Sequence, residues 1–143
     1  MAMTITRKAE QMTVQLLKNE SLEELQYQDL KVFVADAIGP KSSSSMTAGY
    51  ARFEVAGERM EWSFSYDEVL YITHGAITIH FDGKSVTGRP GEMIFIEKGT
   101  KVVYETAEDG SALVYVSYPD WQATQSDSEF KQLMDRFHPV EEK

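Results

Sequence analysis

A single carboxylate among aromatic side chains is the strongest chemical feature of this sequence. Glu68 follows Trp62, Phe64 and Tyr66 at intervals of two residues, and on one regular strand these four side chains would share a face. Aromatic neighbours exclude water and raise the pKa of a carboxyl group, which suits proton transfer near neutral pH. Glu68 is therefore the predicted general base or nucleophile.

Three tyrosines are the predicted hydrogen-bond donors beside this carboxylate: Tyr66, Tyr104 and Tyr115. The same donors would also hold a buried glutamate for structural reasons alone. An aromatic wall with one carboxylate also suits an amine, through cation–π contact with Trp62. Three functions therefore stay open: an enzyme, a small-ligand-binding or scaffold protein, and a stand-alone lyase or isomerase that uses Glu68 as its base.

The candidate ligand-binding residues are Trp62, Phe64, His80, Lys101 and Tyr115. For His80, on a predicted strand, a structural role with a satisfied hydrogen bond is favoured over a pocket role. The chain has no cysteine, which excludes disulfides, thiolate metal sites and a cysteine nucleophile.

Short β segments separated by turn residues surround these positions. Glycine and proline interrupt the apolar runs between residues 46 and 119, and Asp82-Gly83 is a strong hairpin signal after residues 77–81. Many short strands at regular spacing predict a sandwich or barrel. The predicted strands are 49–55, 60–66, 69–72, 77–81, 85–87, 93–96, 101–105 and 113–118.

Two different segments flank this β region, so the chain is divided at residues 1–45, 46–119 and 120–143. The first segment mixes a short strand at 30–34 with a Ser-rich loop at 39–45. The last is predicted to be helical, with a capping box at Ser126 and Glu129 and an end at Pro139. One apolar stripe, predicted to pack on the barrel or else on a second subunit, consists of Phe130, Leu133, Met134 and Phe137.

Two sequence patterns in the β region resemble the cupin motifs. Glu68, six residues and Gly75 match the second half of the first motif, and residues 90–99 resemble the second. The resemblance implies a double-sheet jelly roll. The predicted fold class is therefore all-β, a cupin jelly-roll barrel with a short N-terminal segment and a C-terminal helix.

The metal-binding positions of those motifs carry other residues here. Trp62 and Phe64 occupy the positions of a His-x-His pair, and Val102 occupies the position of a further histidine. A lone carboxylate among rings is a poor site for zinc, iron or manganese, which need several nitrogen or oxygen ligands. We therefore expect no metal and no required cofactor in the pocket.

Further residues narrow the resemblance to one cupin family. Residues 46–122 look like the EutQ-type cupins of ethanolamine-utilisation operons, through the Tyr66-Asp67-Glu68 triplet, residues 91–96 and residues 113–122. The resemblance implies a dimeric cytosolic cupin linked to bacterial microcompartments, with acetate kinase activity. Glu97 stands where the family has a proline, and the chain continues past residue 122.

Acetate kinase activity would require ATP and magnesium, but no ordinary nucleotide motif is present. Residues 83–85 (GKS) match the end of a P-loop, yet Thr78 occupies the position of its first glycine. A hairpin turn also cannot supply the helix N-terminus that a P-loop uses. The candidate cations for a phosphate at the barrel mouth are Arg52, Lys98 and Lys101.

The charge balance limits the partners. The chain has 23 acidic and 14 basic residues and a net charge of -9, which disfavours nucleic acid and anionic membranes. Residues 1–18 contain no long apolar run, so a cytoplasmic protein is expected, with a microcompartment association implied by the resemblance. The expected partners are a small-molecule ligand, a second copy that covers the open sheet edges, and shell or enzyme proteins of a microcompartment.

Overall fold

Two antiparallel β-sheets form the frame of the described part of the chain, residues 14–39 and 45–140 of a computed structural model. Within those residues the large sheet has seven strands in the order β11-β1-β2-β3-β10-β5-β8, and the small sheet has four in the order β4-β9-β6-β7. The large sheet contains β1 (Leu25–Tyr27), β2 (Val32–Ile38), β3 (Thr47–Phe53), β5 (Asp67–His74), β8 (Met93–Ile96), β10 (Ser111–Tyr118) and β11 (Phe137–Pro139). The small sheet contains β4 (Arg59–Ser63), β6 (Ile77–Phe81), β7 (Lys84–Gly88) and β9 (Lys101–Thr106). The predicted all-β, double-sheet fold is confirmed.

The remaining regular elements are short. A 3₁₀ turn, Asn19–Ser21, precedes β1, and two helices, α1 (Trp121–Ser126) and α2 (Lys131–Met134), connect β10 to β11. Within the described ranges, neither helix has the length and hydropathy of a membrane span.

Side chains alternate between core and solvent along the strands. In β3 and β10 every second residue is buried, as expected for strands with one face on a core. Inward side chains of both sheets meet in one hydrophobic cluster, which includes Phe53, Trp62, Leu70, Tyr104 and Leu113. This shared core positions the candidate site.

The predicted hairpin at Asp82-Gly83 is present and joins β6 to β7. Asp82 has a φ of 53° and Gly83 a φ of 72°, the left-handed values that a two-residue type I′ turn requires at both central positions. Phe81 and Lys84 are the strand partners that this turn connects.

The prediction that Trp62, Phe64, Tyr66 and Glu68 share one regular strand is wrong. β4 ends at Ser63 and β5 begins at Asp67, so residues 64–66 cross from the small sheet to the large one. The Phe64 amide donates to the Thr100 carbonyl, which helps to hold this crossing. All four side chains are nevertheless buried.

Strands outside residues 46–119 also belong to the large sheet. β2 pairs with β3, and β1 lies between β2 and β11. The strand predicted at 30–34 is present as β2, displaced to Val32–Ile38. Most of the predicted Ser-rich loop, residues 40–44, lies outside the described residues.

The predicted C-terminal helix is present as two short helices and ends earlier than expected. Phe137 and Pro139 lie in β11, where the backbone pairs with Tyr27 and Leu25. Ser126 ends α1 instead of capping a helix, and Asp120 is the N-cap that accepts from the Ala123 amide at 2.9 Å. Leu133, Met134 and Phe137 pack against the core of their own chain, as predicted.

Candidate functional site

A small cavity lies between the two sheets. Its volume is about 40 Å³, and one water needs roughly 10–15 Å³ on this measure. The space therefore suits a ligand of a few heavy atoms, or two or three waters, and not a nucleotide. Its polar lining consists of Trp62, Tyr66, Glu68, Tyr104, Tyr115 and Trp121, so the structure brings together five of the predicted site residues.

Glu68 is held in β5 with its side chain toward the interior. Its neighbours in the sheet are Ile96 of β8 and Ser117 of β10, and only 6% of the residue is exposed. Burial raises the pKa of Glu68 to about 8, the Tyr104 hydroxyl lowers it, and the negative charge of Asp36 raises it. Glu68 therefore carries a proton at neutral pH and acts as a donor before it acts as a base.

The tyrosine nearest in sequence, Tyr66, is a second donor. The Trp62 Nε1–H group donates to the Tyr66 hydroxyl oxygen at 2.8 Å, while within the described residues the Tyr66 O–H group has no acceptor. Burial raises the pKa of Tyr66 well above its ordinary value, which keeps this hydroxyl neutral. The Tyr66 proton is thus available to a ligand in the cavity.

Two further hydroxyls lie near Glu68, those of Tyr104 and Ser117. The Tyr104 hydroxyl donates to Glu68 Oε1 at 3.4 Å, which is long for a hydroxyl donor. Ser117 is fully buried, and its Oγ atom has no hydrogen-bond partner in the described part of the chain. Ser117 lowers the pKa of Glu68 from its place directly opposite in the sheet, although its geometry falls short of a hydrogen bond.

Asp36, at the inner face of β2, is a polar site residue that the sequence analysis missed. Its Oδ1 atom accepts from the Tyr115 hydroxyl at 2.5 Å and from Trp121 Nε1 at 3.0 Å. Its Oδ2 atom accepts from Gln122 Nε2 at 2.8 Å. A signal was present, because Asp36 is the one charged residue in the otherwise apolar strand VFVADAI.

Gly49 makes the contact between Tyr115 and Asp36 possible. It lies between them in the sheet, paired with Tyr115 on one side and Asp36 on the other. A Cβ atom on Gly49 would come within 2.5 Å of the Tyr115 hydroxyl oxygen and within 2.3 Å of the Ala35 carbonyl oxygen. The lack of a side chain lets the tyrosine reach across one strand.

His80 and Lys101 lie away from the cavity, although they were predicted with it. Both line an open groove on the outer face of the small sheet. His80 Nε2 lies 2.8 Å from Glu105 Oε1, which also binds Arg59 at 2.6 Å. His80 is therefore a hydrogen-bonded surface residue.

Phe64 contributes to the core beside the cavity. Its ring is fully buried and packs edge-on against Tyr66, with 5.2 Å between the ring centroids. It also lies 6.5 Å from the ring of Tyr104, so it supports two of the polar side chains of the cavity.

The candidate cations also lie outside the cavity. Arg52 binds Glu24 and Glu54 on the outer face of the large sheet and stacks over Phe33, 4.0 Å from its ring centre. Lys98 is exposed in a turn. Over residues 14–39 and 45–140, no group of three or more His, Cys, Asp or Glu side chains is arranged to hold a metal ion.

Comparison with known proteins relates the chain to one family. Residues 4–123 match the family described as ethanolamine utilisation protein EutQ. The acetate kinase EutQ of Clostridioides difficile (strain 630) is 36% identical over 74 residues, which are 51% of this chain and 46% of that protein. The acetate kinase EutQ of Escherichia coli (strain K12) is 29% identical over 93 residues, 64% of this chain and 39% of that protein. The chain spans less than half the length of these relatives.

Solved structures give the same relationship. The Clostridium difficile EutQ protein has a TM-score of 0.60 and 28% identity, over 68% of each chain. An ethanolamine utilization protein from Salmonella typhimurium LT2 has a TM-score of 0.57 and 25% identity, over 62% of this chain and 70% of that one. An RmlC-like cupin from Shewanella frigidimarina, 15% identical with a TM-score of 0.59 over 76% of this chain and 94% of that one, shows the cupin fold alone.

Proposed function

Because the chain belongs to the EutQ family of ethanolamine utilisation proteins, we propose that it is a cupin that binds acetate in its interior cavity, beside Glu68. The cavity carries the proposal. It has room for a few heavy atoms, and two groups offer a proton there: the protonated carboxyl group of Glu68 and the Tyr66 hydroxyl, whose oxygen already accepts from Trp62. The choice of acetate is supported by the name of the curated relatives, acetate kinase EutQ.

The chemistry of the lining fits a small carboxylate. A buried anion is costly unless hydrogen bonds replace its hydration, and in this proposal Glu68 and Tyr66 supply them. A hydrogen bond between a carboxylic acid and a carboxylate is charge-assisted and strong. The methyl group of acetate would then lie against Leu70 and Leu113, which line the same cavity.

The proposed binding requires the proton on Glu68, so it depends on pH. The pKa of Glu68 is about 8. Above that pH the cavity would hold two negative charges, and the affinity for acetate should fall about tenfold for each further pH unit. Between pH 6 and 7 the affinity should be nearly constant.

Removal of the Tyr66 hydroxyl tests the proposal. Acetate binding is measured by calorimetry at pH 6.5 for wild type, Tyr66→Phe and Tyr71→Phe. Tyr66→Phe should bind acetate about fivefold more weakly, since one hydrogen bond contributes about 1 kcal/mol. Tyr71, on the outer face of β5 and 41% exposed, is the matched control and should bind like wild type. A wild type that does not bind acetate contradicts the proposal, as does a Tyr66→Phe variant with unchanged affinity.

Phosphorylation of the bound acetate is the second candidate function, and the relatives' name supports it. An acetate oxygen would form a bond to the γ-phosphorus of ATP while the bond from that phosphorus to the bridging oxygen breaks and ADP leaves. The cavity is too small for a nucleotide, so ATP and magnesium would have to bind outside it and present the γ-phosphate to the bound acetate. Acetyl phosphate formation from acetate, ATP and magnesium is the assay. If the protein binds acetate but forms no acetyl phosphate, the kinase function is contradicted and only the binding function remains.

We also propose that the site works without a resident metal. Trp62, Phe64 and Val102 are buried and offer no metal ligand. Elemental analysis of purified protein should find less than stoichiometric zinc, iron, manganese and nickel. One tightly held metal per chain would contradict this proposal and require ligands other than these.

A further inference from the structure

Asp36 anchors two of the side chains that line the cavity. Its carboxylate accepts hydrogen bonds from Tyr115 of β10 and from Trp121 and Gln122 of α1. Tyr115 and Trp121 face the cavity together with Glu68. We infer that Asp36 is a positioning residue of the interior site, which fixes the Tyr115 and Trp121 side chains against the cavity. The inference rests on the proposed function for the identity of the ligand.

The position of Asp36 in the fold supports this role. It lies near the end of β2, and its contacts reach across β3 to β10 and onward to the first turn of α1. A second link joins the start of α1 to β3, because Thr47 donates to Asp120 and accepts from the Trp121 amide at 3.3 Å. The start of α1 is therefore held against the large sheet at the side of the cavity.

The three hydrogen-bond donors around Asp36 require a side chain that accepts hydrogen bonds and donates none. The Tyr115 O–H, the Trp121 indole N–H and the Gln122 amide all donate to it, and a carboxylate accepts on both oxygens. An amide at position 36 would accept on one side only and would require Gln122 to turn its own amide round.

The charge of Asp36 adds a second effect on the site. The other titratable groups that face Glu68 are Tyr66, Tyr104 and Tyr115, all with a pKa raised by burial and therefore neutral. The negative charge of Asp36 raises the pKa of Glu68. The Asp36 carboxylate thus helps to keep the proton on Glu68.

The experiment compares wild type with Asp36→Asn and with Asp135→Asn, an exposed aspartate that serves as the control for the same change in net charge. The protonation of Glu68 is followed by NMR of the side-chain carboxyl carbon, identified by its loss in Glu68→Gln. In Asp36→Asn the midpoint should move below the wild-type value of about 8, and the pH at which acetate affinity falls should move with it. Asp135→Asn should match wild type in both.

The outcomes separate this inference from the proposed function, because the Glu68 titration needs no acetate. A folded Asp36→Asn variant whose Glu68 titration and acetate profile are unchanged overturns the inference. A wild type that binds no acetate overturns the proposed function. The Glu68 titration in wild type and Asp36→Asn would then still test the role of Asp36. If Asp36→Asn does not fold, Tyr115→Phe removes one donor to Asp36 and keeps the ring. Because the Tyr115 ring then loses the contact that fixes it against the cavity, acetate binding should weaken, and unchanged binding would again overturn the inference.

Discussion

Folding makes ionisation of the Glu68 carboxyl group less favourable. An unfolded glutamate has a pKa near 4.5, and in the folded protein burial raises the pKa of Glu68 to about 8. Between these two values the folded state holds a proton that the unfolded state has lost. The free energy of unfolding therefore decreases as the pH rises through this range, and the full contribution is present only below about pH 4.5.

The change Glu68→Gln should remove this dependence. The pKa difference corresponds to about 3 kcal/mol at pH 7, and to less than about 1 kcal/mol at pH 5. We expect the variant to equal wild type at pH 5 and to be more stable at pH 7 and 8, as measured by urea unfolding at each pH. If the variant's free energy of unfolding exceeded that of wild type by the same amount at every pH, the proton on Glu68 would not be the cause.

The alternation of side chains along a strand explains why some of the predicted site residues lie outside the cavity. His80 lies between Ile79 and Phe81, whose side chains belong to the core, and Lys101 precedes the inward Val102. The period of two already places both side chains on the outer face. Trp121 reaches the cavity only through tertiary contacts of α1 with the large sheet, which no local pattern could predict. Asp36 did leave a local signal, as the one charge in an apolar strand, but its partners Tyr115 and Trp121 are set by tertiary structure.

The helix α1 is held on the barrel by a buried glutamine. Gln125 is completely buried, its Nε2 donates to the Ser63 carbonyl at 2.7 Å, and its Oε1 accepts from Ser65 Oγ at 2.6 Å. These contacts lie where the chain leaves β4 for the large sheet. Gln125 therefore ties α1 to the segment that leads to Tyr66.

Gln125→Ala should remove a partner from the buried Ser63 carbonyl and from the half-buried Ser65 hydroxyl. We expect a loss of about 2–4 kcal/mol in the free energy of unfolding, from the lost hydrogen bonds and the cavity together. Gln132→Ala, at an exposed position of α2, is the control and should change the stability by less than about 0.5 kcal/mol. Equal effects of the two changes would show that α1 is not anchored through Gln125.

The C-terminal segment shows where local pattern and tertiary structure differ. Phe130, Leu133, Met134 and Phe137 have helical spacing, which predicts an apolar face that packs on the core. Leu133, Met134 and Phe137 do pack there. The spacing cannot show that β1 offers an open edge, on which residues 137–139 form a strand. Phe137 then packs against Tyr27 and Trp62 at 5.1 and 5.4 Å between ring centroids.

The outer face of the large sheet is divided into a covered and an exposed half. Over β2 and β3, Tyr50 donates to the Leu17 carbonyl and Arg52 binds Glu24, so residues before β1 lie across this half. Over the central parts of β5, β8 and β10 the outward side chains are mostly apolar, and Met93 is 70% and Phe95 63% exposed. The exposed half, named here the outer apolar face, consists of Val69, Tyr71, Met93, Phe95, Val114 and Val116.

The homodimer expected from the sequence stays a prediction, and the outer apolar face is where we expect its contact. The face carries no charge on a chain with a net charge of -9, and β8 is an edge strand, so two copies could meet there with the least repulsion. Phe95→Glu should give a monomer by light scattering. Val86→Glu, at a 45% exposed position of the small sheet, should leave the mass unchanged. A monomeric wild type over a wide dilution range would refute the prediction.

The bare backbone at Gly49 has a consequence for how this family can change during evolution. Any side chain there would meet both the Tyr115 hydroxyl oxygen and the Ala35 carbonyl oxygen, so a mutation at position 49 is tolerated only after the tyrosine has been replaced and the neighbouring strand has moved. Positions 36, 49 and 115 should therefore be inherited as a set. In an alignment of relatives we expect glycine at 49 wherever aspartate at 36 and tyrosine at 115 occur together, and a larger residue only in lineages that have lost that pair.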